Sequence, residues 1–517
     1  MTRDELVAWR AELESTRSST ELLDHLLSPA DAPARIRALP GEALYRLVRR
    51  IGIEDCTEIV ALSSGRQVQA FIDFDAWQGD RLDIERLDPW LRALMVSGRE
   101  VLVERLLDLD DQLLSWIVLS SAQIYVIDDP ESFEAPDEEH VLTQDRRLCI
   151  VFPESAERDL PVKVFLDAFM REHPDHCYNF LVFSGAALNS ELEENALRWR
   201  QGRMADLGFV DPIEALGLYT APRPDQIRDA RRAVPRGVEA PVLAQSLRSD
   251  ERLNAGIAAL DAQTRAVVLQ ELAYVCNTAL SADRIPLWDE AAQEHVLRRV
   301  RAGLSLGLDA LSEGATPRTD ADVLADVPLA LVFRAGYGRM LEAAEPARRA
   351  RRRGLLSGPG GPVDAVDQPL LRVWVEALTD RHPHLPDDRI PRTTADLARM
   401  RAFADVVADL VDFPAGGRSD DAGLCAWVLT QVVRGLLGLS DFGRVPAPRL
   451  AEAHALLFAQ GGLSPAGREA ARAQWLEQGG RRPQTIDFLL TWAAEELAAV
   501  EPTALEGRYC TALLLGP

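Results

Sequence analysis

The sequence predicts a mainly α-helical protein: a superhelical array of stacked short helices, then helical-bundle-like domains, with a small β hairpin or short strands near residues 122–153. Three observations support this fold class. Apolar residues recur at three-to-four-residue spacing through almost the whole chain, which is the period of amphipathic helices. In residues 1–121, turn-forming residues interrupt this pattern at intervals of roughly ten to fifteen residues. The 517 residues exceed what one hydrophobic core usually supports, so several packed units are expected.

Charge and cysteine content limit the function classes. With 57 basic and 81 acidic side chains the formal charge is −24, which repels nucleic-acid phosphates, so we predict no nucleic-acid partner. The six cysteines are scattered without a CxxC pair, as reduced core thiols are, and the start MTRDELVAWRAELE is unlike a signal peptide. No run of about 18 or more apolar residues occurs. We therefore predict a cytoplasmic protein that is not integral to a membrane.

Residues 1–121 are predicted to form the array of short helices. Breaks such as Ser28-Pro29, Pro40-Gly41 and Asp110-Asp111 separate them, and LSPADAPARIRAL aligns loosely with LSSGRQVQAFIDF, as repeat copies would. Over residues 20–120 the chain resembles the N-terminal superhelical domain of MgtE-type magnesium transporters, whose short helices have the same Leu-Ser or Leu-Pro starts. This resemblance implies a superhelix and, because that domain contributes to magnesium sensing, a divalent-cation response. It does not imply transport, since the membrane-spanning part is missing.

Residues 122–220 are predicted to combine a small β element with a helical domain. The runs QIYVI and RLCIVF are short and β-rich, and they flank an acidic loop at Asp128–Glu139. The second run could instead lead directly into the next helix, because short apolar runs do not distinguish the two states.

The stretch Ala187–Tyr219 holds the main candidate site. Its apolar positions share one arc of a helical wheel; they are Leu188, Leu192, Ala196, Trp199 and Leu207. Glu191, Glu194 and Arg198 gather beside this arc, and Arg203 projects from inside it. A guanidinium stays charged at pH 7, so a buried Arg203 must meet a carboxylate or several carbonyls. These four charged residues could line a polar pocket or bind a partner. Alternatively, Glu194 and Arg198 form an ordinary surface pair and Arg203 bridges two helices.

The rest of the chain is predicted to hold a linker at 221–240, a helical domain at 241–362 and a C-terminal helical domain at 363–517. Arg334, in the helix LALVFRAGYGRMLEAA, is a further candidate for ligand or partner binding. The predicted helices are 261–281, 287–311, 366–379, 394–411, 421–437, 448–459, 465–477 and 485–499, followed by one short strand at the C-terminus.

Two further groups of residues invite a site. His173, His176 and Cys177 are zinc-type ligands, but no fourth ligand is evident and a proline interrupts them, so no metal site is predicted; His382 and His384 are interpreted in the same way. The one dense basic run could bind a phosphate or an acidic segment, or complement a helix C-terminus while remaining solvated. It comprises Arg348, Arg349, Arg351, Arg352 and Arg353.

No catalytic residue and no cofactor is predicted. The sequence contains no GxxxxGK[ST] loop, no GxGxxG after a strand, no GxSxG elbow and no HExxH helix.

Four segments, ELEENALRWRQGRMADLGF, PIEALGLY, ELAYVCNTALSAD and LALVFRAGYGRMLEAA, resemble an uncharacterised bacterial family of unknown function. The resemblance covers most of the chain and implies no activity, substrate or catalytic residue. It is carried by Glu191, Glu194, Arg198, Arg203, Gly208, Phe209, Glu214, Tyr219, Asn277, Arg334 and Gly336.

Three functions fit these observations. The leading hypothesis is a cytoplasmic scaffold or adaptor whose stacked helices present an acidic surface and a groove to another protein. The second is a small-ligand-binding protein or enzyme with a polar pocket at the 187–219 helix. The third is an acidic regulator that responds to divalent cations through carboxylates such as those of Asp128–Glu139.

Overall fold

The computed structural model confirms a mainly helical fold with a few short strands in small sheets. It describes residues 9, 12–13, 16, 18–129, 131, 133–143, 145–153, 159–230, 251–287, 289–312, 318–352, 369–413, 423–459, 462–497 and 512–516. The chain divides into two compact units. The first comprises residues 1–218, 233–249 and 262–297, and the second comprises residues 219–232, 250–261 and 298–517. The five-segment division stays a prediction, and its linker lies outside the described residues from residue 231 onward.

Short helices fill residues 19–121 of the first unit. In chain order they are α1 (Ser19–Leu27), α2 (Ala32–Ala38), α3 (Gly41–Ile51), α4 (Thr57–Leu62), α5 (Gly65–Asp75), α6 (Ile84–Val96), α7 (Arg99–Leu107) and α8 (Asp111–Ser121), with a two-residue hairpin of β1 (Trp77–Gln78) and β2 (Arg81–Leu82) between α5 and α6. Side-chain caps define several starts; Ser64 and Gln67, for example, form a reciprocal capping box at α5. Helix α1 packs on α3, α2 on α4, α3 on α5 and α4 on α6, so each helix contacts the second one along the chain.

A three-stranded antiparallel sheet follows, and it confirms the β element expected near residues 122–153. Its strands are β3 (Gln123–Val126), β4 (Glu139–Leu142) and β5 (Leu148–Phe152), in the order β3-β5-β4. Strand β5 is buried along its whole length, as a central strand should be. The sequence prediction singled out β3 and β5 but not β4, which begins at the last residue of the acidic loop.

The remaining helices continue in chain order. They are α9 (Leu160–Glu172), α10 (Pro174–Ala186), α11 (Asn189–Asp206), α12 (Pro212–Ala215), α13 (Pro224–Arg228), α14 (Glu251–Ala258), α15 (Ala262–Asp283), α16 (Glu290–Ser312), α17 (Asp320–Asp326), α18 (Leu329–Arg352), α19 (Pro369–Thr379), α20 (Thr394–Asp412), α21 (Leu424–Leu436), α22 (Leu450–Leu457), α23 (Pro465–Glu477) and α24 (Pro483–Leu497). In the first unit, α11 packs on α8 and α12 packs on α15.

The second unit is built mainly from α18, α20, α21, α23 and α24, which pack on one another. Its short strands are β6 (Val445–Pro446), β7 (Phe458–Ala459), β8 (Gly462–Leu463) and β9 (Leu515–Gly516); β6 pairs with β9, which agrees with the strand expected at the C-terminus. Helices α16 and α18 approach so closely that a Cβ at Gly336 would collide with the backbone of Gly303 and Gly307. Glycine is therefore required at this crossing.

Candidate functional site

Helix α5 carries two buried carboxylates near its C-terminal end. Asp73 and Asp75 are two residues apart, which on a helix places their side chains on nearly opposite sides. Both residues are less than a tenth exposed, so each needs hydrogen-bond donors. Each carboxylate finds them on a different set of neighbouring helices.

Asp75 is held by an aromatic cluster. The Tyr45 hydroxyl donates to Asp75 Oδ1 (3.2 Å), while Trp90 Nε1 (2.9 Å) and Arg49 Nη1 (3.2 Å) donate to Oδ2. The Tyr45 and Trp90 rings pack 6.0 Å apart. Burial raises the pKa of the Tyr45 hydroxyl, and the nearby Asp75 charge raises it further, so this hydroxyl stays protonated and donates. The cluster ties α3, α5 and α6 together.

Asp73 forms a bidentate ion pair with Arg203 of α11. Arg203 Nε donates to Asp73 Oδ2 (2.7 Å) and Arg203 Nη2 donates to Oδ1 (2.9 Å), while Gln69 Nε2 adds a bond to Oδ1 (3.1 Å). Burial lowers the pKa of Arg203, but the hydrogen bonds and charge of Asp73 more than offset this, so its pKa is raised. The requirement that Arg203 meet a carboxylate is therefore satisfied by a residue that the sequence prediction did not name.

Arg200 lies one turn before Arg203 and also contacts the end of α5. Its Nε donates to the Asp73 carbonyl (2.8 Å), one of the last carbonyls of α5, and its guanidinium lies 5.1 Å from the Trp77 ring centroid. Burial lowers the pKa of Arg200. Together the two arginines fix α11 against α5.

Asp110 closes the network as the N-cap of α8. Its carboxylate accepts from Gln112 N (3.2 Å) and Leu113 N (3.1 Å), and its own N–H donates to Gln69 Oε1 (3.0 Å). Asp110 Oδ2 is also 3.9 Å from Arg203 Nη1. Burial raises the pKa of Asp110 despite these bonds and the nearby guanidinium. A half-buried carboxyl with a raised pKa beside a paired arginine is a feature that functional sites share with structural ion pairs.

Four of these residues, Gln69, Asp73, Asp110 and Arg203, line a groove of about 870 Å³ in the first unit. The lining contains apolar side chains such as Leu39, Phe74 and Met204 together with charged ones, and carboxylates outnumber guanidiniums by five to three. The residues that line it are Arg37, Leu39, Pro40, Gly41, Glu42, Ser64, Arg66, Gln67, Gln69, Ala70, Asp73, Phe74, Asp108, Leu109, Asp110, Arg203, Met204, Asp206 and Leu207. Arg66 is exposed and makes no ion pair with another described residue, so its charge is available to a ligand.

The other candidates on α11 lie elsewhere. Glu191, Glu194 and Arg198 are exposed, and Arg198 Nη2 pairs with Glu194 Oε1 at 3.3 Å on the helix surface. The structure does not bring this trio together with Arg203. The apolar arc was also partly wrong, because Leu188 and Trp199 are 62% and 61% exposed.

The residues that bury α11 are fewer than the wheel indicated. Leu192 and Ala196 fill the contact with α8, and the rest of the face is completed by the Arg203 ion pair. A narrow apolar strip and one bidentate salt bridge are enough to hold α11 in place. The outer part of the predicted apolar arc therefore remains exposed to solvent.

The end of α11 explains three of the positions that carry the family resemblance. Gly208 has φ of +83°, its N–H donates to Ala205 O (2.9 Å), and Phe209 N–H donates to Met204 O (2.9 Å). This is a Schellman motif, in which glycine takes the left-handed position and the next apolar residue packs back. Asn277 of α15 caps the same turn, because its Nδ2 donates to the Leu207 carbonyl (2.6 Å).

Arg334 lies in the second unit and binds both the backbone and the side chain of Thr220. Its Nε donates to Thr220 O (2.9 Å) and its Nη2 donates to Thr220 Oγ1 (3.2 Å). Burial lowers the pKa of Arg334. Its contacts hold the segment that follows Tyr219 against α18.

The basic run at the end of α18 is largely used within the chain. Arg348 Nη1 donates to Asp380 O (2.6 Å) and Arg351 Nη1 donates to Thr379 O (3.1 Å), so both cap the C-terminal end of α19. Arg349 and Arg352 pair with a glutamate of their own helix. Arg353 lies outside the described residues.

A second cavity, of about 740 Å³, lies in the second unit among α18, α20 and the start of α24. Pro346 lies inside α18 and has no N–H to offer the carbonyl of Glu342, to which Arg401 Nη1 donates instead (3.5 Å). Arg482 Nη1 bonds the buried Asp409 (2.7 Å), and Arg481 Nη1 bonds Asp412 (2.7 Å). The arginines of this cavity are thus matched by carboxylates.

Metal-type ligands do not gather in the part of the chain that the structure describes: it contains no group of three or more His, Cys, Asp or Glu side chains arranged to hold an ion. His173 and His176 instead pack against the Phe169 ring. Burial raises the pKa of the Cys177 thiol to about 12.

Among the described helices, none has both the length and the apolar character needed to cross a bilayer.

A family model matches residues 6–516, which is nearly the whole chain. The chain belongs to the family of unknown function DUF6178. This confirms the resemblance to an uncharacterised family. No curated protein and no solved structure matches the chain, so the resemblance to MgtE-type transporters stays a prediction.

The network residues Asp73, Gln69 and Asp110 were missed at the level of sequence. A signal for Asp73 was present, because FIDFD places carboxylates directly beside aromatic and aliphatic residues in a predicted helix. Carboxylates in that setting require buried donors, which makes them candidates for an ion pair or a site.

Proposed function

We propose that this protein is a cytoplasmic helical scaffold that binds a segment of another protein in the groove of the first unit. One observation carries the proposal: a groove of about 870 Å³ is lined by residues of α3, α5 and α11, with both apolar and charged side chains. A groove between helices is a common way to bind a peptide segment, with apolar anchors in the groove and charges at its rim.

The base of the groove supports this role because it is already ordered. Asp73 and Arg203 bond each other bidentately, and Gln69 holds Asp110, so little side-chain freedom remains to be lost on binding. The excess of carboxylates along the groove favours a positively charged segment, and the chain's formal charge of −24 would steer such a segment toward it.

Site-specific crosslinking tests the proposal. A photoreactive amino acid at Met204, inside the groove, should give an adduct with a partner protein in cells, whereas the same amino acid at the exposed Arg198 of the same helix should not. Asp206→Lys reverses an exposed groove charge and should weaken the adduct from position 204, because it repels a basic segment. Adducts of equal yield from positions 204 and 198, or an adduct from 204 that is insensitive to Asp206→Lys, would contradict the proposal.

A second candidate is small-ligand binding by the same groove. The observation that favours it is the raised pKa of Asp110 beside Arg203, in a cavity whose volume falls in the range of small-molecule sites, about 300–1,000 Å³. A thermal-shift screen of small polar compounds should then find a stabilising ligand whose effect is lost in Arg66→Ala. A screen without such a ligand leaves the scaffold proposal in place and removes this one.

A further inference from the structure

The small sheet of the first unit has one edge that is open to a further strand. Its order β3-β5-β4 makes both outer strands edges. The edge of β3 is partly covered, because the Ile124 carbonyl oxygen lies 3.5 Å from the position that a Cβ would take at Gly185 of α10. In β4, residues 139–141 are exposed and Leu142 is partly exposed. The open edge is therefore β4.

The register determines which backbone groups of β4 point away from the sheet. The N–H of Thr143 donates to the carbonyl of Leu148 (3.1 Å), so these two residues form a hydrogen-bonded pair. In an antiparallel ladder such pairs alternate with pairs whose N–H and C=O groups point outward. By that alternation, His140 and Leu142 direct two N–H and two C=O groups away from β5. These are the groups that a neighbouring strand would bond.

These outward groups lack the usual protection of an edge strand. Strand β4 contains no proline, lysine or bulge, which are common devices against edge pairing, and Val141 is 40% exposed on one face. The described residues form no other backbone hydrogen bond with His140 or Leu142. The side chain of Glu139 bonds Lys163 Nζ (2.7 Å), which anchors the start of β4 to α9. Strand β4 is thus held in place, while the outward backbone groups of His140 and Leu142 have no partner among the described residues.

The chain that leads into β4 is strongly acidic. The run Asp128–Glu139 contains seven carboxylates and no Lys or Arg. Those of its acidic residues that the structure describes are all exposed. A strand that adds to β4 would pass beside this run, so positive charge on that strand would be attracted to it.

We propose that β4 accepts an extended, positively charged segment of another protein as a fourth strand of this sheet. Backbone bonds to His140 and Leu142 provide the pairing, Val141 provides an apolar contact, and the acidic run selects for Lys and Arg. The site is separate from the groove of α3, α5 and α11, and the proposal does not depend on the function assigned to that groove.

A second copy of the chain fits this edge less well. Each copy has a formal charge of −24 and would bring its own acidic run to the pairing, which like-charge repulsion opposes. A cationic segment instead reduces the charge at the edge.

The test selects random octapeptides displayed on phage against the full chain and measures the affinity of a recovered peptide by fluorescence anisotropy. Selected peptides should be rich in Lys, Arg and β-branched residues. His140→Pro removes an outward N–H while leaving the ladder to β5, which uses the alternate residues, and should weaken binding about tenfold. The matched control His140→Ala removes the imidazole and keeps the N–H, so it should bind as the wild type does.

A second measurement does not depend on how a proline variant folds. Two versions of the selected peptide are N-methylated, one at the odd-numbered residues and one at the even-numbered residues. Only every second N–H of an added strand faces β4, so one version should lose binding to the wild-type chain and the other should keep it. Replacing Asp137 and Glu138 by Asn and Gln should weaken binding and reduce its dependence on salt.

Several results would overturn the proposal. The selected peptides could lack excess positive charge, or His140→Ala and His140→Pro could weaken binding equally. N-methylation at odd and at even residues could have the same effect. Finally, the chain could form a concentration-dependent dimer that His140→Pro dissociates. The last result would make a second copy of the chain the occupant of the edge.

Discussion

Replacing Arg203 by alanine should destabilise the first unit far more than replacing Arg198 on the same helix. The substitution removes two of the three side-chain donors of Asp73 and leaves a carboxylate that is only 3% exposed with the Gln69 amide. Breaking a buried ion pair costs about 3–5 kcal/mol. Because the Arg203 side chain is 32% exposed and water can partly replace it, we expect the lower end, about 3 kcal/mol.

The assay is urea and thermal unfolding followed by circular dichroism. A loss of about 3 kcal/mol corresponds to a decrease of roughly 6–12 °C in Tm for a unit of this size. Arg198→Ala is the matched control, since Arg198 is 72% exposed and its pair with Glu194 should contribute about 0.5 kcal/mol or less.

A double-mutant cycle identifies the source of the effect. In an Asp73→Asn background no buried charge remains to be stranded, so Arg203→Ala should cost only about 1 kcal/mol. Equal losses for the Arg203 and Arg198 variants, or a cost of Arg203→Ala that Asp73→Asn does not change, would refute the account of a buried network.

Three further predictions concern other parts of the chain. Gly336→Ala should lower the free energy of unfolding by about 1–3 kcal/mol, because its Cβ would meet the backbone of α16. Gly202→Ala is the control: it has open space around it and should raise the free energy of unfolding by about 1 kcal/mol. A Gly336→Ala variant with unchanged stability in urea titrations would contradict the close crossing. Burial raises the pKa of Asp110, so the stability that this carboxyl contributes is present below its ordinary pKa and is lost as pH rises through the raised folded-state value. Asp110→Asn, which can still cap α8, should flatten this fall of stability above the ordinary pKa, and an unchanged slope in unfolding measurements across pH would argue against it. Burial raises the pKa of Cys56 and of Cys177 to about 12, so both thiols should react with dithionitrobenzoate at pH 8 only as fast as the protein unfolds. Immediate reaction of either thiol would show that it is not buried.

The sequence predicted the helical fold well because helix formation here depends on local information. The helix at Pro465–Glu477 has the predicted limits, since a serine cap and a proline mark its start. Strand β4 was missed for the opposite reason. Its residues EHVL have weak β character, and they form a strand because β5 offers a partner, which no local pattern reveals.

The sequence predicted what type of group the candidate site must contain, but not which residues supply it. A guanidinium on an apolar face requires a carboxylate, so the ion pair of Arg203 followed from the sequence. The identity of its partner did not, because Asp73 lies 130 residues earlier in the chain. Gly336 carried the family resemblance without an explanation, since its role in a close crossing depends on Gly303 and Gly307 of the facing helix.

The pattern in which α1 to α4 each touch the helix two places further along has a consequence for how this part of the chain folds and evolves. Most of these contacts join residues close together in sequence, so ordering can begin at several points and spread to adjacent turns, with small entropy loss per step. For the same reason, a lengthened connection disturbs only the helices beside it. Insertions and altered helix lengths should therefore be tolerated here more readily than at the glycine crossing of α16 and α18.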